Sequence, residues 1–196
     1  MKFTAILDEY VILKLELDKY RGTEHSLEEG FHIASGRLGR KARKMERELL
    51  ESYFTSWAAP YYGRLRGWRA DSPVYLMLGD SLVGGMYLCD QNEYEVGSGW
   101  GQLHYTFMDP EFKGRKLFNV NFNATIEKAR NWGLKGVIIS TDRHMIPDIM
   151  IRWGAVPWKT VKKTDAPNRQ DLSEKRLLSS LRVKIASLRN EIKWFL

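Results

Sequence analysis

The residues best suited to chemistry gather in one stretch, from His104 to Lys116. Phe112-Lys113-Gly114-Arg115-Lys116-Leu117 sets a glycine and three cationic side chains directly before a run of helical periodicity. The first turn of a helix leaves N–H groups unpaired and carries partial positive charge, so this turn is an anion site that would receive a pyrophosphate well. In isolation, the plainer reading is a solvated basic turn. Upstream, Gln102 to Met108 reads as a strand, with Gln102, His104 and Thr106 on one face and Leu103, Tyr105 and Phe107 on the other. His104 has an ordinary pKa of about 6.5, close to what proton transfer near neutrality requires. Its plainer reading is a hydrogen-bonded histidine in a half-buried sheet. No metal centre is expected: His25, His32, His104 and His144 show no paired ligand spacing, and Cys89 is the single cysteine.

Several elements must position this stretch. Val74 to Leu78, then Gly79-Asp80, then Leu82 to Leu88 reads as a hairpin. The strand Gln102–Met108 ends at Asp109-Pro110, and Leu117, Val120, Ala124 and Ala129, with Ile126 nearby, then keep a helical period up to Trp132-Gly133. Gly136 to Ser140 is a short apolar strand of the kind buried on both faces. Strand, glycine-bearing loop, helix and buried strand make a βαβ unit, and the fold class is α/β (α+β).

The flanks are less uniform. Val11-Ile12-Leu13 with Leu15 and Leu17 suits a strand or a short helix. Ser26 and Glu29 have capping-box spacing and place a helix start at Ser26, interrupted by Gly30, Gly36 and Gly39. From Arg37 the helix becomes regular: Leu38, Ala42, Met45 and Leu49 share one face, and Arg40, Arg43, Lys44 and Arg47 the other. Pro60, Gly63, Gly67 and Pro73 punctuate a connecting stretch that carries Trp57, Tyr61, Tyr62 and Trp68. At the other end, Leu178, Leu181, Ile185, Leu188, Ile192 and Phe195 form a heptad seam. That segment, 171–196, is either an amphipathic helix docked on its own domain or one that builds a homodimer.

With 196 residues and 43% hydrophobic content, the chain supports one well-buried core, expected over residues 1–170. A formal charge of +7 favours polyanionic partners: a phosphorylated cofactor, a nucleic acid or an anionic surface. No apolar run approaches the roughly 20 residues of a bilayer span, no signal-like segment opens the chain, and the lone cysteine suits a reducing compartment, so a cytoplasmic location is expected.

The order Leu82-Val83-Gly84-Gly85, Asp109 to Phe118, Ala129-Arg130-Asn131-Trp132-Gly133 and Arg152-Trp153-Gly154-Ala155 resembles the GNAT acyltransferase superfamily over residues 74–163. The resemblance implies a single GNAT-like domain with a mixed central sheet flanked by helices. Its cofactor would be acetyl-CoA or another acyl-CoA. The family's acyl-CoA motif, Gln/Arg-x-x-Gly-x-Gly/Ala, falls on Glu111-Phe112-Lys113-Gly114-Arg115-Lys116, where the central glycine agrees and Glu111 and Lys116 depart. Lys116 either crowds the pyrophosphate or pairs with it as a point charge. Lys113, Gly114, Arg115 and Lys116, with Arg143 after the buried strand, are the implied cofactor contacts, and a main-chain N–H at Phe107 or Met108 would polarise the thioester carbonyl. The amine acceptor needs a base, for which His104 leads and Glu93 or Glu95 are alternatives. The family's thiolate-protonating tyrosine falls on Met150, which cannot donate, so Tyr105 or Tyr87 is the substitute.

Three function classes follow. One is an N-acyltransferase for a small-molecule or protein amine, acting by direct attack on the thioester. Another is a nucleic-acid-directed member or binding module using the basic helix face. The last is a non-catalytic assembly protein joined through the heptad tail.

Overall fold

The computed structural model describes residues 6–22, 26–53, 67–143 and 145–162. Its strands are β1 (Ile6–Glu16), β2 (Phe31–Ser35), β3 (Pro73–Leu78), β4 (Ser81–Cys89), β5 (Trp100–Met108), β6 (Gly136–Arg143) and β7 (Val156–Lys162). Its helices are α1 (Arg40–Tyr53), α2 (Leu117–Asn131) and α3 (Ile146–Arg152). The strands form one seven-stranded sheet in the order β2-β3-β4-β5-β6-β1-β7. The pairings are antiparallel except β5 with β6, whose parallel course requires a crossover, supplied by α2.

β1 resolves the ambiguity of the N-terminal segment. Leu13, Leu15 and Leu17 point to the face covered by α2 and α3, while Ile12 joins Ile138 on the opposite face. Apolar side chains on both faces suit a strand seated inside a sheet, and β1 lies between β6 and β7. The helix start expected at Ser26 is corrected. Phe31–Ser35 is instead the edge strand β2, paired with β3 from Phe31↔Leu78 to Ser35↔Val74. Gly30 at φ 83° and Gly36 at φ 86° bracket it in a conformation through which a helix cannot run, and the helix begins only at Arg40.

α1 packs Ala42 and Leu50 against Tyr75, Met77, Leu82, Tyr87 and Phe107, and Arg40, Arg43, Lys44 and Arg47 stay exposed. On the other face, α2 buries Phe122, Ile126 and Ala129 against Met86, Leu88, Leu103, Val137 and Ile139. Gly133, at φ 72°, ends α2: its N–H donates to Arg130 O, and the Leu134 N–H donates to Ala129 O, a Schellman motif. The loop between β4 and β5 covers Ile12 and Ile138 with Tyr94 and Val96. Asn92 shapes that loop by accepting from the N–H groups of Tyr94 and Val96 and donating to Trp100 O. Among the described residues, no helix is long and apolar enough to cross a membrane. The heptad tail, most of the aromatic stretch from Trp57, His25 and His144 lie outside the described residues.

Candidate active site

β5 and β6 pair only from Trp100↔Gly136 to Leu103↔Ile139. Beyond that point β6 continues with β1, at Ile12↔Ser140 and Val11↔Thr141, while β5 continues with β4. The separation begins at a bulge. Gly85 pairs with Phe107 and Tyr87 with His104, so two steps on β4 face three on β5. Tyr105 carries the extra residue's strain at φ 40°. The bulge also breaks the alternation expected for this strand: Leu103 packs on the α2 side, whereas Tyr105 and Phe107 join the α1 side.

Gly84 and Gly85 let β5 lie this close to β4. A Cβ on Gly85 would stand 2.7 Å from Phe107 Cζ, and one on Gly84 would stand 2.9 Å from Phe107 O. The Asp109 N–H donates to Val83 O at 2.7 Å, which anchors the end of β5 to β4. By strand alternation the neighbouring Met108 N–H turns the other way, toward β6.

The diverging strands enclose a cavity of about 340 Å³. Its walls include Leu103, Phe118, Phe122, Ile139 and Met150, with His104, Tyr105, Thr106, Ser140, Asp142 and Arg143 as the polar contribution. Tyr10 of β1 reaches it as well. His104 is half-buried, but its Nε2 is shielded from solvent and has no hydrogen-bond partner among the described residues. Burial holds its pKa below the ordinary histidine value, partly opposed by the Glu93 carboxylate. The imidazole is therefore neutral at pH 7 and able to accept a proton. Burial pushes the Tyr105 phenol up to about 12, with the Glu93 carboxylate adding to it, so Tyr105 stays protonated.

Phe118, in the first turn of α2, lines the cavity; Lys113, Gly114, Arg115 and Lys116, in the loop directly before that turn, are not among its lining residues. Gly114 has φ 85° and Lys116, the N-cap of α2, has φ 59°. Lys113 and Lys116 are exposed. Arg115 is ion-paired with Glu28, and its guanidinium lies 5.3 Å from the Phe31 ring centre and 5.7 Å from that of Phe112. Arg143 lines the cavity with its Nε 3.8 Å from Asp142 Oδ1. Glu95 is exposed in the loop before β5 and does not line the cavity; Glu93 is the acid felt by His104. Met150 does line it, fully buried, at the place where the family resemblance implies a tyrosine.

Sequence reading missed two features. Tyr10 came from a segment whose structure was open. Glu46 is buried on α1 within reach of Tyr75 and Tyr87, and its spacing of four from both Ala42 and Leu50 is the signal that could have found it. No cluster able to hold a metal ion occurs among the described residues.

A mixed sheet split between its one parallel strand pair, with a helix N-terminus at the rim of the split, is a GNAT fold, and solved structures share it. The glucosamine N-acetyltransferase region of a fungal multi-domain GH3 β-N-acetylglucosaminidase superposes with a TM-score of 0.57 at 15% identity, over 78% of this chain and 20% of that one. A GCN5-related N-acetyltransferase from Kribbella flavida gives a TM-score of 0.54 at 13% identity, over 81% and 58%. One from Sphaerobacter thermophilus gives 0.55 at 14%, over 80% and 50%. The chain thus spans from a fifth to under three-fifths of the length of these proteins. The chain belongs to the acetyltransferase (GNAT) family, whose model matches residues 42–147, more than half of it. No curated protein matches it in sequence.

Proposed function

We propose that the protein is an acyl-CoA-dependent N-acyltransferase working in the β5/β6 cleft. The observation that carries this reading is the shielded Nε2 of His104, without a hydrogen-bond partner among the described residues, on the wall of a cavity opened by the Tyr105 bulge. The cavity's apolar walls fit an acyl-pantetheine arm, and the loop before α2 fits a pyrophosphate. When bound, acyl-CoA supplies an activated acyl carbonyl. Lys113, Lys116, the N–H groups following Gly114, and Arg143 would hold its anionic end, with Arg115 joining once it leaves Glu28. The main-chain N–H of Met108, which turns toward the β6 side, would donate to the carbonyl oxygen as negative charge develops there, whereas that of Phe107 alternates back toward β4. His104 Nε2 takes the proton that the acceptor's ammonium must lose, and the Tyr105 phenol delivers one to the departing sulfur. The acceptor is a small-molecule or protein amine.

Thiol release with a panel of amines and acetyl-CoA tests this. His104→Gln is expected to lower kcat by about 10²- to 10⁴-fold with the fold intact. Absence of amine-dependent thiol release from the wild-type protein with every acyl-CoA tried would overturn the proposal. A second reading, action on nucleic acid, draws on the exposed Arg40, Arg43, Lys44 and Arg47 of α1. It predicts nucleic-acid binding that falls steeply between 50 and 200 mM salt, on the order of 10³-fold for about six phosphate contacts. The assembly reading rests on the heptad segment outside the described residues, and deletion of residues 171–196 with a change of oligomeric state would support it.

A further inference from the structure

A second cavity, of about 650 Å³, lies on the α1 face of the sheet and is walled by α1, the residues leading into β3, and the strands β3 and β4. Glu46 lines it and is only 8% exposed. Tyr75 Oη donates to Glu46 Oε1 at 2.5 Å, and Tyr87 Oη donates to the same oxygen. Glu46 Oε2 has no hydrogen-bond partner, and no cationic side chain pairs with this carboxylate, among the described residues. Arg37 and Arg43 reach the same cavity, but both are exposed at its rim and neither is paired with Glu46.

The two phenols satisfy one oxygen of this carboxylate and leave the other without a hydrogen bond or counter-charge among the described residues. The surroundings favour a cation. Trp68 stacks on Tyr87 with ring centres 5.4 Å apart, and Tyr75 meets Tyr87 edge-on at 6.2 Å. Aromatic faces carry the negative end of a quadrupole and attract ammonium groups. Tyr87, which is fully buried, forms a partition one ring thick between this cavity and the cleft, because its ring packs 6.1 Å from that of Tyr105 and 6.3 Å from that of Phe107, both of which line the cleft.

We propose that the Glu46 cavity binds an alkylammonium group, with Glu46 as its counter-ion and Trp68, Tyr75 and Tyr87 as its walls. Resting on the acyltransferase reading, the acceptor class follows: a small aliphatic di- or polyamine, one nitrogen anchored here and another presented to the cleft one ring layer away. A monoamine would leave one of the two places unfilled.

Calorimetric titration of the full-length protein with 1,4-diaminobutane and with butylamine, at equal ionic strength, tests the binding directly. Diaminobutane is expected to bind about tenfold more tightly or better. Glu46→Gln is expected to collapse that preference to near unity and to raise the diamine KM by a similar factor. Equal affinity of the wild-type protein for both amines would overturn the proposal, as would a folded Glu46→Gln protein that keeps the preference. Should that variant fold poorly, Trp68→Leu removes a wall without touching the carboxylate and is expected to weaken diamine binding; unchanged binding would count against the site. Diamine preference without thiol release from acetyl-CoA would sink the acyltransferase reading and leave this site standing. Thiol release with butylamine and diaminobutane used equally well would do the reverse.

Discussion

His104 carries a pH dependence whose sign can be worked out. Its folded pKa is lowered by burial, so between that value and about 6.5 the unfolded chain binds more protons than the folded one. Stability is therefore full above about 6.5, declines as the pH drops below it, and stops declining below the folded value. Replacing His104 by Gln removes this contribution, which chemical denaturation measured from pH 7.5 to 5 would show as a flatter profile. The same shift places the acid limb of kcat/KM below the ordinary histidine value. A limb at or above about 6.5 would assign the base elsewhere. His104 was legible as a candidate because one residue type dominates proton transfer near neutrality. Glu46 was not, because a charged residue on an amphipathic helix reads as solvent-facing until its two phenol donors, on strands 29 and 41 positions away, are in place.

At the scale of elements, the active cleft depends on how closely β4 and β5 approach. Gly85→Ala would put a methyl group 2.7 Å from the Phe107 ring, forcing that ring or the bulge to move. The expected cost is about 1 to 3 kcal/mol, read as a lower denaturation midpoint, together with weaker acetyl-CoA binding. The loop before α2 responds differently. A Cβ on Gly114 meets nothing within 4 Å, so substitution there costs only the strain of φ 85°, about 1 to 2 kcal/mol. Lys116 already bears such strain at φ 59°, and Lys116→Gly is expected to stabilise the protein by about 1 kcal/mol. The hairpin, α2 and the buried strand β6 were readable from period and punctuation. The bulge was not: nothing in His104-Tyr105-Thr106 marks it, and it arises from the register that β4 imposes. β2 escaped for a related reason, since an edge strand's pairing with β3 overrode a local capping signal.

For the whole molecule, the sheet's order joins the two ends of the described chain. β1 sits between β6 and β7 and contributes Leu13 and Leu15 to the principal core. Leu13→Ala is expected to cost about 2 to 5 kcal/mol, a penalty as large as for a residue of the central hairpin, although β1 lies outside the stretch that carries the family resemblance. A denaturation midpoint within error of the wild type would show that β1 is peripheral. Local periodicity could not reveal this placement, because pairing across more than a hundred residues leaves no mark on either segment alone. The central claim joins the loop at Gly114 to the cleft as one acyl-CoA site, and calorimetric titration of acetyl-CoA into the wild-type and Gly114→Glu proteins tests it most directly. Saturable binding by the wild type, abolished by a carboxylate at the start of α2 in a protein that remains folded, is the predicted result. Wild-type protein that binds no acyl-CoA, or a Gly114→Glu protein that binds it undiminished, would contradict the account.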